Sequence, residues 1–560
     1  MIVKGPPSTR YIWQPITLAG QLERTAAMAG NREALICDDR RLTWSDVRKE
    51  ARTFAKALLA SGIGNGDHFA VWLPNQVEWI IAWLASSYIG AVVIPLNTRY
   101  KKEEVGYILR QSDSKLLFLR DTFLGIDFAK MLDELLPLRA GVPDTRSFPE
   151  LRGAIVLGRS LAQAAGFDRF LTRGAEISEE ELDRRSAEVS FNQPTIIVYT
   201  SGTTGQPKGA VHSHCILRNE CSITEWMGIG PESRIMGHMP FFHVAGAFSG
   251  ILPAMISGGA LVLMDHWDVA KALQLIERER VSSFSGIPTH FIDLLNHPTL
   301  TKYDLSSLDS GWIGGASNPP EVLDGVMNKL GIRRLLPVYG MTETTSVTTF
   351  PRPDDARDVI LTGKGVPVSD FELKVVDAKS GVNVAVGVEG EICVRGHCVM
   401  QGYYKKPEAT TAVMDAEGWF HTGDLGVLDA QGYLAVTGRK SDMFIVGGSN
   451  AYPAEIEFAL SEHPLIKQAY VVGVPHPRLG EVGFAFVEPS AGAALAEAEV
   501  KAFCRARLAD FKVPHHVVIV SDWPLTATGK VQRFILKERA AQHLAVATAP
   551  SEGAASRRDI

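Results

Sequence analysis

The chain is poor in cysteine, and no two of its cysteines are spaced as Cys-x-x-Cys. The six present (Cys37, Cys215, Cys221, Cys393, Cys398 and Cys504) are scattered, which implies neither a zinc knuckle nor a disulfide framework. Free thiols in a reducing compartment are the expectation. His212, His214 and Cys215 stand close in sequence, but on an alternating strand the two histidines share a face with no second cluster to complete a coordination shell, so no metal site is expected there. Charge of one sign is lacking too: 57 basic and 63 acidic side chains leave a net charge of -6. Neither nucleic acid nor an anionic membrane is implied as a partner, and any bound anion must be met by local groups.

No secretory leader is expected, since Met1-Ile-Val-Lys-Gly-Pro-Pro has neither the charged start nor the long apolar core of one. Uninterrupted apolar runs of membrane length are missing as well. Trp79–Leu96 is uncharged over 18 residues, but Gly90 and Pro95 divide it into a helix, Gln76–Tyr88, and a short strand, Ala91–Ile94. Phe241–Met264 is longer, yet it holds His243, the pair Gly258-Gly259 and a strand, Ala260–Met264. No integral membrane span is expected, and the location is expected to be cytoplasmic.

What is present is a globular composition, 46% hydrophobic and 21% charged, spread over 560 residues. That length exceeds the size at which a single core keeps growing, so at least two domains are expected. Through the first three-quarters, helices alternate with short apolar strands. Ser45–Ser61 carries Val47, Ala51, Phe54, Leu58 and Leu59 at helical spacing, then Gly62-Ile-Gly-Asn-Gly turns the chain into a strand, His68–Trp72. This rhythm predicts a wound parallel sheet. Residues 139–190 read as an irregular surface segment. Residues 365–402 switch to β-type runs such as Phe371–Val376 and Gly390–Arg395, which predict a second, mainly antiparallel sheet or small barrel.

The predicted fold is therefore α/β: a large N-terminal domain (1–438) with wound α/β layers and a small barrel-like sheet, a hinge at 439–442, and a smaller mobile α+β domain (443–540). In that domain we expect the strand Met443–Val446, a turn at Gly447-Gly448-Ser449-Asn450, helices Pro453–His463 and Glu497–Leu508, and strands Gln468–Val474, Gly483–Glu488 and Val517–Val520. Residues 541–560, rich in Ala and Ser, read as a disordered tail.

One stretch organises the rest. Tyr199-Thr200-Ser201-Gly202-Thr203-Thr204-Gly205-Gln206-Pro207-Lys208-Gly209 packs four Ser/Thr hydroxyls, three glycines and one lysine behind the β-type run Thr195–Val198. Glycine lets backbone N–H groups face an anion, hydroxyls add donors and lysine adds a point charge, so the composition suits a polyphosphate. It is not a Walker A loop, because Gln206 and Pro207 separate Gly205 from Lys208.

Four further motifs follow in order: Tyr339-Gly340-Met341-Thr342-Glu343-Thr344, Gly418-Trp419-Phe420-His421-Thr422-Gly423-Asp424, Gly438-Arg439-Lys440, and Pro524-Leu-Thr-Ala-Thr-Gly-Lys530. Together with the loop, they make the chain resemble the acyl-adenylate-forming superfamily of acyl-CoA synthetases, nonribosomal adenylation domains and luciferases over roughly residues 20–540, most nearly an acyl- or aryl-CoA synthetase. The resemblance implies attack of a carboxylate on the α-phosphorus of ATP, release of pyrophosphate, and transfer of the acyl group to CoA. In such a reaction two anions must approach, so charge neutralisation is the central difficulty.

By this resemblance Thr200, Ser201, Gly202, Thr203, Thr204, Gly205 and Lys208 would hold the β- and γ-phosphates. Glu343, with Thr200, would bind Mg2+, and Thr342 would hydrogen-bond the α-phosphate. Gly314, Gly315 and Ala316 would line the adenine and acyl side, beside Tyr339, Gly340 and Met341. Asp424 would take the ribose hydroxyls, with Arg439 adding donors. Lys530 would bridge the attacking carboxylate and the α-phosphate in the adenylation state. Gly447 and Gly448 would replace it when the small domain turns for thioester formation and opens a path for the CoA thiol. Many relatives carry Asp or Lys two residues after the hinge arginine; here Ser441 holds that position with Asp442 beside it, which leaves the pivot open between them.

Pro240-Phe241-Phe242-His243-Val244-Ala245-Gly246 matches the segment that walls the acyl pocket. No carboxylate occurs between Glu232 and Asp265 to meet a substrate ammonium, so an apolar acid is favoured, with His243 as pocket gate or carboxylate contact. Fatty, alicyclic, aryl and steroid side-chain acids stay open. Residues 531–560 hold no carrier-protein segment, so free CoA is the expected acceptor. Loading of a separate carrier protein and a catalytically silent nucleotide-binding homologue are the alternatives, and a homodimer is kept as an open expectation.

Overall fold

A computed structural model describes residues 1–139, 142–200, 207–316, 318–369, 371–440, 442–446, 449–525 and 531–548. It resolves into two compact units. The first comprises Met1–Val376, Cys393–Thr422 and Leu428–Ala435; the second comprises Asp377–Ile392, Gly423–Val427 and Val436–Ile560.

In the first unit the expected alternation is present. Helix Trp44–Ala60 starts at a reciprocal cap, in which the Thr43 hydroxyl accepts the Asp46 N–H at 3.2 Å and the Asp46 carboxylate accepts the Thr43 N–H at 2.9 Å. Val47, Ala51, Phe54 and Leu58 form its fully buried face. Helix Val77–Ile89 is buried on every side, which explains why its sequence shows an unbroken apolar run rather than a stripe. It ends at Gly90 in the left-handed region, where a Cβ would also meet the Asn65 side chain at 2.4 Å. Among the described residues, no helix is long and apolar enough to cross a membrane.

These helices pack on a sheet that, among the described residues, runs in the order Ala164–Gly166, Gly153–Leu157, Ser114–Arg120, His68–Trp72, Val92–Pro95, Pro194–Thr200, Lys208–Ser213. Its pairings are parallel except the last, which is a hairpin. A second layer pairs Arg234–Gly237, Ala260–Leu263 and Glu33–Cys37 in parallel, with Arg40–Thr43 antiparallel at its edge. Single bridges at Ser283 continue it to Ser310–Gly314, which lies parallel to Arg334–Val338.

Residues 139–190 depart from the expectation of an irregular surface. Gly153–Leu157 is a sheet strand with Ala154, Ile155 and Val156 buried. Helix Glu179–Ala187 is tied down by Arg52, which reaches Glu179 at 2.6 Å and Asp183 at 2.7 Å. A five-residue strand leaves too short a pattern to stand out, and an ion-paired helix with one buried apolar side chain, Leu182, leaves almost none.

The β-type runs at 365–402 become Glu372–Val376 and Glu389–Arg395. They belong to a five-stranded sheet ordered Ile2–Lys4, Glu372–Val376, Glu389–Arg395, Phe420–Leu428, Leu434–Arg439 among the described residues. In the second unit, Ile466–His476 and Gly480–Pro489 pair antiparallel, and His516–Ile519 joins in parallel. Phe444, Val471, Phe484 and Leu536 share its core. The expected tail from 541 begins instead as helix, since Arg533–Thr548 is continuous; Leu536 and Ala540 anchor the helix just before 541, and Leu544 packs partly against the same core.

Helix Ile216–Trp226 of the first unit carries Glu220 with no solvent exposure. The Ser249 hydroxyl donates to its Oε1 at 3.2 Å, while Oε2 has no partner among the described residues. Burial pushes this carboxyl well above the usual range, so it is held neutral. The folded chain keeps a proton that the unfolded chain releases, and the contribution is full below the ordinary carboxyl pKa and lost as pH rises, at up to about 1.4 kcal/mol per pH unit. Glu220→Gln keeps a neutral hydrogen-bonding group without that proton. Melting curves by calorimetry should therefore show the variant gaining on the wild type between pH 5 and pH 8, and parallel pH dependences would refute the neutral carboxyl.

Candidate active site

The organising loop closes a hairpin in the first unit. Thr200 pairs with Lys208 across its mouth, and the Thr200 hydroxyl donates to the Lys208 carbonyl at 3.4 Å. Ser201, Gly202, Thr203, Thr204, Gly205 and Gln206 lie outside the described residues. The strands below the loop are braced from the side: Tyr199 donates to Gln111, and Gln111 Nε2 donates to the Tyr404 carbonyl at 2.8 Å. Lys208 Nζ sits 5.1 Å from the centre of the Tyr403 ring.

Two motifs distant in sequence meet because their strands are parallel neighbours. Gly314 ends one strand opposite Val338, which ends the other, so Gly315-Ala316 and Tyr339-Gly340-Met341 leave the sheet side by side. The approach is too close for side chains. A Cβ on Gly314 would lie 2.5 Å from the Val338 side chain, and one on Gly340 would lie 2.0 Å from the Ser346 carbonyl.

After Met341 the chain makes a single 3-10 turn, Thr342–Thr344, and then holds Thr345 and Ser346 at φ of 57° and 78°. Consecutive left-handed residues, one of them β-branched, are strained and need outside support. Asn219 provides it from the buried helix, donating to Thr345 Oγ1 at 3.0 Å and to the Val347 carbonyl at 3.0 Å. Glu343 emerges from the turn only 6% exposed. Its Oε1 accepts the Tyr403 hydroxyl at 2.8 Å, and its carbonyl accepts the Met400 N–H at 2.8 Å. Burial, and then the Glu343 charge, push the Tyr403 phenol far up, so it remains a protonated donor.

His212 lies buried on the hairpin's second strand, and His214 lies buried in the turn just after it. Burial lowers His212 to about 4, opposed by a hydrogen bond to the Thr342 backbone, and lowers His214 to about 3; His214 Nδ1 accepts the Leu18 N–H at 3.2 Å. Both are neutral packing groups at physiological pH. His243 starts the short helix Val244–Gly246, partly buried, with its ring 5.6 Å from that of Phe242. Asn75 clamps this segment: its Nδ2 donates to the Gly237 and Met239 carbonyls at 3.1 and 2.8 Å, and its Oδ1 accepts the Phe241 N–H at 2.9 Å. Phe241 and Phe248 are buried against Trp79 and Trp83.

In the second unit, Arg439 Nε meets Asp424 Oδ1 at 2.9 Å, the carboxylate buried and the guanidinium half-exposed. Ser441, Gly447, Gly448 and Lys530 lie outside the described residues, but their flanks are anchored. Phe444–Val446 pairs with Ser449–Ala451 on either side of the glycines. Leu525 bridges Val531 on either side of the lysine segment. Two residues beyond Val531, Arg533 grips Glu457 through both guanidinium nitrogens at 2.8 and 2.7 Å.

Three residues the sequence reading passed over carry this geometry. Tyr403 lies in the aromatic and basic run Gly402-Tyr403-Tyr404-Lys405-Lys406, a signal that could have been followed. Asn219 and Asn75 act only across the fold and leave no local pattern.

A hydroxyl-rich loop without Walker spacing, with a buried carboxylate after paired strand ends, does not fit a P-loop phosphotransferase. The family model described as AMP-binding enzyme matches residues 22–404, and that of the AMP-binding enzyme C-terminal domain matches 455–530; the chain belongs to the AMP-binding enzyme family. It is 35% identical over 533 residues to the putative acyl-CoA synthetase YngI of Bacillus subtilis (strain 168), covering 93% of this chain and 97% of that one. It is 37% identical over 535 residues to the 3-[(3aS,4S,7aS)-7a-methyl-1,5-dioxo-octahydro-1H-inden-4-yl]propanoyl:CoA ligase of Rhodococcus jostii (strain RHA1), covering 94% and 99%. Among solved structures it is similar to the anthranilate CoA ligase AuaEII in complex with anthranoyl-AMP, with a TM-score of 0.83 at 26% identity over 96% of this chain and 99% of that one. It is likewise similar to ATP-bound MatB from Rhodopseudomonas palustris, with a TM-score of 0.81 at 28% identity over 94% and 99%. The chain is an AMP-forming acid:CoA ligase that uses ATP and CoA.

Asn219 is fully buried and holds a strained turn, so Asn219→Ala should cost about 1–3 kcal/mol in urea unfolding. It should also raise the KM for ATP more than it lowers kcat; an unchanged KM would separate the turn from nucleotide binding.

Proposed function

We propose that this enzyme activates an apolar carboxylic acid, alicyclic or aryl in the first instance, as the acyl-adenylate and then passes the acyl group to free CoA. The observation that carries the reading is the junction of strands Ser310–Gly314 and Arg334–Val338, which delivers Glu343 as a buried carboxylate whose only side-chain donor among the described residues is a neutral phenol. A carboxylate so placed wants a hard cation, and the donor set fits Mg2+, with Thr200 as the second oxygen ligand. When bound, Mg2+ supplies positive charge that neutralises the phosphates.

Lys208 and the hydroxyls and amides of Thr200, Ser201, Gly202, Thr203, Thr204 and Gly205 grip the β- and γ-phosphates. Thr342 hydrogen-bonds the α-phosphate. Gly314, Gly315 and Ala316, with Tyr339, Gly340 and Met341, offer backbone against which the adenine and acyl groups lie flat. Asp424 accepts the ribose hydroxyls and Arg439 supports it. Lys530 lends its ammonium to the attacking carboxylate and the α-phosphate, and Gly447 and Gly448 give the thiol of CoA its path in the second half-reaction. The 439–442 joint is the hinge between these states.

The substrate class rests on the Pro240–Gly246 wall. Phe241, Phe242 and Val244 are buried, His243 stays at the edge of that wall, and the nearby Glu220 is held neutral and offers nothing to an ammonium. The fused-ring propanoate and the anthranilate named for two relatives are both ring-bearing acids. Action in the cytoplasm suits six free cysteines, and a homodimer is to be tested by sedimentation.

The test is pyrophosphate release across a panel of fatty, alicyclic, aryl and steroid side-chain acids, with and without CoA. Ring acids should give CoA-dependent AMP; loading of a phosphopantetheinyl carrier with no use of CoA would overturn the acceptor, and silence across the panel would overturn the activity. Lys530→Ala should lose most adenylation while retaining much of the thioester step from preformed acyl-adenylate. Equal loss of both half-reactions would sink the assignment of Lys530 to the first state.

A further inference from the structure

The segment Met400–Tyr404 touches both charged groups of the first unit's site. Its backbone runs beside the hairpin's second strand: Val211 N–H donates to the Gly402 carbonyl at 3.0 Å, Gln401 N–H to the Val211 carbonyl at 2.8 Å, and Tyr404 N–H to the Gly209 carbonyl at 2.8 Å. The same segment holds the Thr342–Thr344 turn, because Met400 N–H donates to the Glu343 carbonyl at 2.8 Å. Thr410 Oγ1 accepts the Tyr403 N–H at 2.9 Å and fixes the backbone from behind. At the centre, Tyr403 is largely buried, with its hydroxyl on Glu343 Oε1 at 2.8 Å and its ring under Lys208 Nζ at 5.1 Å.

We propose that Tyr403 is a positioning residue that sets both the carboxylate of Glu343 and the ammonium of Lys208, making the Met400–Tyr404 strap the element that fixes the spacing between cation site and phosphate grip. This rests on the proposed roles of Glu343 and Lys208. The reasoning is geometric. A carboxylate has two oxygens and rotates freely unless one is held; the phenol holds Oε1 and directs Oε2 toward a cation. A lysine on a four-carbon stem samples a wide volume unless its head is held; the ring face attracts it without donating a competing hydrogen bond, and leaves its three N–H groups for phosphate oxygens. The phenol is neutral, so it orients Glu343 without cancelling the charge a cation needs. An arginine or lysine in its place would neutralise the site.

The two functions of Tyr403 separate by substitution. Tyr403→Phe keeps the ring and nearly the volume and deletes only the hydroxyl; Tyr403→Leu deletes both. The experiment reads Mn2+ binding to the protein with ATP by electron paramagnetic resonance, and ATP binding without metal by calorimetry. Tyr403→Phe should weaken Mn2+ binding about tenfold and leave metal-free ATP binding within about twofold. Tyr403→Leu should weaken both, with metal-free ATP binding falling about threefold. Equal Mn2+ affinity in the wild type and Tyr403→Phe would overturn the inference. So would a Tyr403→Phe protein that loses Mn2+ and metal-free ATP binding in equal proportion, since that describes a loosened site. A wild-type protein that binds ATP but no Mn2+ would overturn the cation role of Glu343, and the inference with it.

Discussion

A buried carboxylate held by a neutral donor is the constraint on which the first unit's site depends. Glu343 could be neutralised by an arginine or lysine, as most buried carboxylates are, but then it would have no charge left for a cation. The phenol of Tyr403 satisfies one oxygen and leaves the charge in place. Much of the surrounding structure follows from keeping that arrangement. The 3-10 turn lifts Glu343 off the strand end, the left-handed Thr345 and Ser346 return the chain at once, and Asn219 holds the strained return from a helix more than a hundred residues earlier.

The second unit presents a complementary economy. Arg533 is locked onto Glu457 while the lysine three residues before it lies in a Gly-Lys segment whose stems are pinned by the Leu525–Val531 bridge. Such an arrangement anchors the chain on both sides of the lysine segment. Asp424 and Arg439 pair within the same unit, so the carboxylate proposed for ribose is oriented before any nucleotide arrives.

Legibility from sequence was uneven, for reasons tied to particular elements. The strand His68–Trp72 has the bounds its sequence predicts, and helix Trp44–Ala60 and strand Glu372–Val376 lie within a residue of theirs, because each carries a full period between clear breakers. Gly153–Leu157 was not legible as a buried strand: five apolar residues in an Arg- and Gly-rich stretch have no periodicity to read. The helix Arg533–Thr548 runs past 540, where the sequence predicts a tail, since alanine-rich composition does not reveal a partner surface. In the site, the motifs of Glu343 and Asp424 could be found by type and order, whereas Asn75 and Asn219 make their bonds to backbone more than a hundred residues away.

By itself the sequence determined the chemistry available: a hydroxyl- and glycine-rich loop with a displaced lysine, one acidic residue after a Tyr-Gly-Met-Thr run, and a late Gly-Lys, in an order that resembles that of the enzymes that activate acids with ATP. The reason for glycine at 314 is tertiary, for only the parallel pairing of two strands brings Val338 where a Cβ would stand, whereas at 340 the chain's own return through Ser346 takes up that space. The tertiary structure alone decided which groups share a site and in what protonation state. Hydrogen bonds and low-dielectric burial act over a few ångströms in space regardless of separation along the chain. That is why Tyr403, sixty residues past Glu343, could be assigned to it only once the strap was seen beside the hairpin.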